Sequence, residues 1–271
     1  MNGDSMAIIT QRNGKLEYLT AEGISAPHGF TTRRGGVSRG RLESMNLGAH
    51  RGDDLENVAE NFRILGRALG FDAHNLVLTY QIHSDIVQVV NKNHHQGFDH
   101  RQYPQCDALI TKDAGTALVV FTADCTPILL HDPVTGAVGA VHAGWRGIAS
   151  NIAGKTVAQM VTQFGCDPQN MRAAIGPNIG SCCFQTDAEV PQALIEAYGP
   201  IVRLWIQERN GKFYPDLKKI NAYALKNAGV AHIELSEDCT MCQPDRFWSH
   251  RVHGDQRGAL GAIIVCKEAE K

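Results

Sequence analysis

The sequence predicts an α+β fold: a single domain over residues 1–271, with mixed, partly antiparallel β-sheets flanked by helices. Three observations carry that expectation. Short runs rich in β-formers occur both in clusters and between helical stretches, which suits mixed sheets better than a strict βα alternation. An apolar face repeats at i, i+3, i+4 spacing along 149–164, the mark of an amphipathic helix. No Pro/Gly/Ser-rich linker divides the 271 residues, a length one core can fill without disulfides or a structural metal.

The elements follow in chain order. Residues 57–69 form the first helix candidate. Strands at 76–80 and 85–90 enclose Gln81-Ile82-His83-Ser84. The polar stretch 91–105, with His94, His95, Gly97, His100 and Pro104, reads as a surface loop whose histidines are solvated. Strands at 117–122 and 128–131 flank Ala123-Asp124-Cys125, and 136–142 is small and apolar, as a buried strand would be. A helix at 148–164 is expected to end at Gly165. Weaker helical periodicity marks 187–198 and 221–228, and a strand at 258–266 closes the chain.

Composition narrows the function classes. Hydrophobic residues are 43% and charged residues 20%, ordinary for a globular protein, and the formal net charge is −2. A dedicated nucleic-acid or anionic-membrane surface would need a basic excess. There is no basic start followed by an apolar run, so no signal peptide is expected. No stretch approaches the ~18 apolar residues of a membrane span, and the expected location is cytoplasmic. The eight cysteines therefore read as reduced thiols.

Three metal-ligand types stand at strand ends or in the adjoining turns: His83, Cys125 and His142. Two imidazoles and one thiolate suit zinc, and three protein ligands leave the fourth position open, as in catalytic sites. By spacing alone this is one combination among the many that 12 histidines and 8 cysteines allow. His142 also precedes the expected 148–164 helix, whose first N–H groups would favour an anion such as a substrate phosphate.

The string His142-Ala143-Gly144-Trp145-Arg146-Gly147 resembles the signature of the laccase-domain family, also called the multicopper polyphenol oxidoreductase family. Further strings agree with it in order over roughly residues 28 to 265. They are Thr31-Thr32-Arg33-Arg34-Gly35-Gly36-Val37-Ser38, Met45-Asn46-Leu47-Gly48, Gln81-Ile82-His83-Ser84 and Cys106-Asp107-Ala108-Leu109-Ile110-Thr111. Thr122-Ala123-Asp124-Cys125, Gly176-Pro177-Asn178-Ile179-Gly180-Ser181-Cys182-Cys183 and Phe247-Trp248-Ser249-His250-Arg251 complete the set. The bacterial members are described as purine nucleoside phosphorylases.

The resemblance implies metal ligands at His83, Cys125 and His142. It also implies phosphorolysis of adenosine, inosine and S-methyl-5'-thioadenosine, with deamination of adenosine. A zinc ion that lowers the pKa of bound water to about 7 suits the deamination. Phosphorolysis needs phosphate beside the ribose, and guanidinium forks bind phosphate well, so Arg34, Arg146 and Arg251 are candidates. The Gly35-Gly36 pair would bring backbone N–H groups close to an anion. Asp124 and Asp107 would orient a metal-bound histidine or handle a proton, or else serve as turn residues. Asn46 would bond a sugar or phosphate, or occupy a left-handed turn. Trp145 would stack on a base or join the core.

Cys239-Thr240-Met241-Cys242 has CxxC form, but only seven residues separate Cys242 from His250, short of the finger spacing. The family's metal site lies elsewhere, so these cysteines and the adjacent Cys182-Cys183 read as structural.

Several alternatives carry other functions. Copper is the alternative ion, since it outcompetes zinc at many N/S sites. A copper-dependent polyphenol oxidase would resemble multicopper oxidases in having His-x-His pairs, and no two histidines here stand two positions apart. A peptidoglycan-precursor editing enzyme would also use a phosphate-bearing substrate. A non-catalytic metal adaptor would not need the open fourth position. The expected partners are a purine nucleoside and phosphate, with no nucleic acid and no membrane, for a monomer or homodimer.

Overall fold

The structure, a computed structural model, describes residues 7–98 and 105–267, so His100 and Pro104 of the expected polar loop lie outside the described residues. In chain order come β1 (Ile8–Asn13), β2 (Leu16–Ala21), β3 (His28–Thr31), α1 (Leu55–Leu69), β4 (Leu76–Leu78), β5 (Val87–Val89) and β6 (Ala108–Thr111). Next are β7 (Ala117–Thr122), β8 (Thr126–His131), β9 (Val138–Ala143), α2 (Trp145–Ala149), α3 (Ile152–Phe164), β10 (Arg172–Ile175) and α4 (Glu189–Tyr198). The chain closes with β11 (Ile206–Arg209), β12 (Lys212–Pro215), α5 (Leu217–Asn227), β13 (His232–Leu235), α6 (His250–His253) and β14 (Leu260–Val265).

The strands form two six-stranded sheets and a small hairpin. The first sheet runs β1-β2-β3-β14-β7-β4 and the second β13-β10-β8-β9-β6-β5. Each is antiparallel through its middle, with parallel pairing of β4 to β7, of β5 to β6 and of β10 to β13. This is the mixed, partly antiparallel arrangement the sequence predicted.

Side-chain alternation explains why the central strands read as continuously apolar. On β7, Leu118 and Val120 enter the core between the sheets, while Ala117 and Val119 face α1. On β8, Leu129 faces the other sheet, while Ile128 and Leu130 pack under the helices. Both faces of each sheet are therefore covered. Phe62, Leu65 and Leu69 of α1 cover the first, and residues of α3 and α5, among them Val157, Met160 and Ile220, cover the second.

The helix expected at 148–164 is broken. Asn151 adopts a left-handed conformation at φ 58°, and its side chain accepts from the Gly154 N–H, ending α2 and capping α3. α2 is only five residues long, so His142 precedes a single short turn rather than a long helix dipole. α3 ends at Gly165, φ 69°, as the apolar period indicated.

Candidate active site

The site lies where the chain crosses between the sheets. The β4–β5 connection carries His83, and the β7–β8 turn carries Cys125. β8 and β9 pair with Thr126 opposite Ala143, so Cys125 lies beside the end of β9 that carries His142. The backbone N–H of His142 donates to the Asp107 carbonyl at 2.7 Å, bringing Asp107 to the same edge.

The loop before β5 is tied at both ends. The Gln81 side chain accepts from the Phe121 N–H at 2.7 Å and donates to its carbonyl at 2.8 Å, as a strand residue would. His83 sits at φ 59°, a left-handed conformation uncommon outside glycine. Three successive N–H groups, of Ile82, His83 and Ser84, converge on the buried Asp107 carboxylate at 3.3, 3.1 and 2.7 Å. The Ser84 hydroxyl adds a fourth bond at 2.7 Å. Asp107 thus compensates the strained turn that presents His83.

Asp107 also accepts from His142 Nδ1 at 2.8 Å. Burial alone would raise its pKa, but the bonds from His142 and Ser84 outweigh burial and hold it at about 2. An ionised carboxylate only accepts, so the proton must sit on His142 Nδ1, and Nε2 is the nitrogen left for a metal.

The ligand atoms of His83, Cys125 and His142 all lie within 4.8 Å of one another, with His83 Nε2 3.9 Å from Cys125 Sγ. The two rings meet edge to face at 4.9 Å. His142 is buried and His83 exposed, so one side opens to solvent. Gly144 is needed for this approach, because a Cβ there would stand 2.8 Å from His83 Cδ2 and 3.4 Å from Cys125 Sγ. Without an ion, burial would push the Cys125 thiol up and the His142 imidazole down. Their mutual attraction reverses both, placing Cys125 at about 6 and His142 at about 9.

Asp124 occupies a left-handed position at φ 91°. Its carboxylate accepts from Thr240 Oγ1 at 2.6 Å and from the Arg251 backbone N–H at 2.7 Å. Those bonds engage both carboxylate oxygens of Asp124 and position the turn that holds Cys125. Asn46 is fully buried. It accepts from the N–H groups of Gly48 and Ala259 and donates to Asp53, so its polar groups serve the protein interior rather than a sugar. The N–H groups of Gly35 and Gly36 donate to Ser44 Oγ and are not offered to an anion.

The three arginines diverge. Arg34 pairs with the buried Glu17, among Arg12 and Arg246. Arg146 is exposed, lies over the Trp145 ring at 4.2 Å and stands 3.9 Å from Glu189. Trp145 itself packs against the core under the second sheet. The Arg251 guanidinium bonds the Gln185 carbonyl, while its backbone is held by Asp124.

Sequence reasoning missed Arg257. β14 pairs with β7 so that Leu260 opposes Thr122, which sets the residues before β14 beside those after β7. Arg257 donates to His250 Nδ1 at 3.3 Å. Burial lowers its pKa, and so does the like charge of Arg51, while the negative charges of Cys125 and Asp124 act the other way. Arg257, with Arg51 beside it, therefore stands within electrostatic reach of the Cys125 sulfur. The one available signal was position: Arg257 lies just before a strand end.

Fold and sequence together define the class. The family model described as multi-copper polyphenol oxidoreductase laccase matches residues 27–267, and the chain belongs to that family. The purine nucleoside phosphorylase YlmD of Geobacillus stearothermophilus is 39% identical over 247 residues, 89% of this chain and 90% of that protein. Its crystal structure matches with a TM-score of 0.89 at 37% identity, covering 96% of this chain and 100% of that one. A purine nucleoside phosphorylase of Deinococcus radiodurans is 39% identical over 252 residues, 92% of each chain. Adenosine deaminase RL5, from an unknown prokaryotic organism, is 34% identical over 252 residues, 90% of this chain and 95% of that protein.

Proposed function

We propose that this chain is a purine nucleoside phosphorylase acting on adenosine, inosine and S-methyl-5'-thioadenosine, with adenosine deaminase activity, at one zinc ion held by His83, Cys125 and His142. The observation that carries this reading is the three-ligand cluster, open on the His83 side and backed by Asp107. The donor set fits the ion: two imidazoles, a thiol already biased toward thiolate, and a carboxylate that fixes the His142 tautomer. When bound, the zinc would polarise the substrate atom or water at its open position.

The chain's own residues supply the rest. Asp107 orients His142 and the His83 turn, and Asp124 positions the Cys125 turn. This reading assigns phosphate binding to Arg257, which senses the Cys125 charge with Arg51 beside it, and to the exposed Arg146 and Arg251. Tyr80 and Ile82, exposed apolar side chains flanking Gln81 beside His83, offer surface to a purine ring. The relatives named as phosphorylases and as a deaminase support both activities. Residues 1–271 act as one domain in this reading, in the cytoplasm, as a monomer or homodimer. No helix of the described residues is long and apolar enough to cross a membrane.

The family's descriptive name favours a second reading, a copper-dependent polyphenol oxidase. Against it, the clusters of metal-ligating type among the described residues are one His₂Cys group and one all-cysteine group, neither with the histidines of a multicopper centre. One experiment separates the readings. The purified protein is assayed for zinc and copper, then incubated with adenosine with and without phosphate. Adenine formed only with phosphate supports phosphorolysis, and inosine supports deamination. Oxidation of a phenol with neither product would overturn the proposal, and turnover of a nucleotide-linked peptidoglycan precursor alone would favour the editing role.

A further inference from the structure

Four further cysteines meet on the two loops that hydrogen-bond to Asp124. Cys182, Cys183, Cys239 and Cys242 place their sulfurs all within 4.8 Å of one another. Cys242 Sγ lies 3.3 Å from Cys183 and 3.6 Å from Cys182. None of them is in a disulfide. In a tetrahedral zinc–tetrathiolate centre with Zn–S of about 2.3 Å, neighbouring sulfurs stand about 3.8 Å apart, which is the spacing this cluster approaches. The histidines near the CxxC segment take no part. His250 bonds Arg257, and His253 packs on Trp248.

We propose that these four cysteines bind a second zinc ion, a closed structural centre distinct from the one at His83, Cys125 and His142. Thiolate ligands without open positions are the structural pattern, and soft sulfur selects zinc over hard cations. The surroundings suit thiolates. The Gly180 N–H donates to Cys239 Sγ at 3.1 Å, the kind of outer bond that steadies a ligating sulfur. Gly180 also has no Cβ to keep the sulfurs apart; one would stand 3.1 Å from Cys182 Sγ and 3.3 Å from Cys239 Cβ. The buried Lys218 donates to the carbonyls of Ser236 and Asp238, just before Cys239, and its ammonium offsets part of the negative charge of a tetrathiolate ion.

The centre would join two loops that hold the active site. The Thr240 N–H donates to the Asn178 carbonyl at 3.0 Å, the Ile179 N–H donates to the Asp124 carbonyl at 3.0 Å, and Thr240 Oγ1 bonds the Asp124 carboxylate at 2.6 Å. A metal on the four sulfurs would therefore clamp both strips of backbone that hydrogen-bond to Asp124, the neighbour of Cys125.

The test counts ions in the full chain, purified under reductant without oxygen, loaded with zinc and freed of excess by gel filtration. Two zinc ions per chain are expected, falling to one in Cys242→Ser, to one in Cys125→Ala, and to none in the double variant. Cobalt in place of zinc gives a second readout that leaves the four cysteines untouched. Cobalt-loaded Cys125→Ala should show the intense visible and near-ultraviolet bands of a tetrahedral all-thiolate ion. One zinc per chain, unchanged by Cys242→Ser, would overturn the proposal. So would a Cys125→Ala protein without thiolate–cobalt bands, or a cluster that holds no ion when reduced and forms a disulfide in air.

Discussion

Asp107 Oδ1 accepts from His142 Nδ1 at 2.8 Å, and the same carboxylate collects the N–H groups of Ile82, His83 and Ser84. One buried acid thus sets the tautomer of one proposed ligand and the backbone of another. Asp107→Asn keeps the size but removes the charge and puts an amide where acceptors are needed. Metal affinity is expected to fall roughly 10–100-fold, the usual loss when an outer partner of a metal-bound histidine is changed. Competition with a chromophoric chelator measures it, and an unchanged affinity would show that Asp107 does not orient the ligands.

Cys125 and His142 determine how many protons leave when the ion enters. Between about pH 6 and 9 the metal-free pair holds its charge on Cys125 and its extra proton on His142. At pH 8 zinc binding should therefore release one proton from this pair, with affinity rising with pH until about 9 and levelling beyond. Calorimetry in buffers of different ionisation enthalpy counts it, with Cys242→Ser as the host so that only this site loads. Release of two would mean a protonated thiol in the free site, and of none a neutral imidazole.

Gly144 has φ −69° and ψ 162°, a conformation alanine adopts freely, so Gly144→Ala brings no backbone strain. The nearest atoms to its added methyl are those of the His83 ring and the Cys125 sulfur. Because His83 is exposed, it can swing aside. The metal-free protein should keep its urea midpoint while zinc affinity drops roughly 5- to 150-fold, the equivalent of about 1–3 kcal/mol of overpacking. Equal affinity would show that the His83 position seen here is not the ligating one.

Much of the fold was legible because its strands are long or its periods strong. β7 at Ala117–Thr122 coincides with the expected strand, and the helix reaching Leu69 differs only at its start. Strands β1, β2, β3, β6, β10, β11, β12 and β13 were not foreseen; all but the six-residue β1 and β2 are four-residue runs, which show too few alternations to register. The break at Asn151 was hidden because the apolar period continues across it, and only the left-handed backbone of that residue interrupts the helix. For the site, spacing did not single out His83, Cys125 and His142; ordered motif strings did. Arg257 stayed invisible because strand register alone, Leu260 against Thr122, brings its segment to the Cys125 turn.

Acid sensitivity should come first from a histidine far from any ligand. Burial lowers the pKa of His131 to about 4, and its Nδ1 has no hydrogen-bond partner. The folded state then binds fewer protons than the unfolded chain, whose histidines titrate near 6.5. Stability is full above that value and drains as the pH falls toward 4, by roughly 2 kcal/mol at pH 5 from this residue. Asp107 works in a separate window: its depressed pKa contributes stability above about 3.8 that is lost as pH falls toward about 2. Urea midpoints of metal-free protein between pH 7 and 5 should decline, and His131→Leu should flatten the decline. An equal slope in the variant would remove His131 as the cause.

The arginines assigned to phosphate yield the sharpest test of the two proposed reactions, because phosphorolysis consumes phosphate and deamination does not. A guanidinium bond to phosphate is worth about 1.5–3 kcal/mol. Arg257→Met should then raise the KM for phosphate roughly 10–100-fold and leave the phosphate-free formation of inosine from adenosine nearly unchanged. Arg257→Lys should recover only part of the loss, since an ammonium lacks the bidentate fork. Arg146→Ala should also raise the phosphate requirement, by less, because Arg146 is exposed and already shared between Trp145 and Glu189. Parallel loss of both activities in Arg257→Met would show that this residue supports the Cys125 turn rather than the anion. Unchanged phosphate dependence in both variants would move the phosphate site away from Arg257 and Arg146.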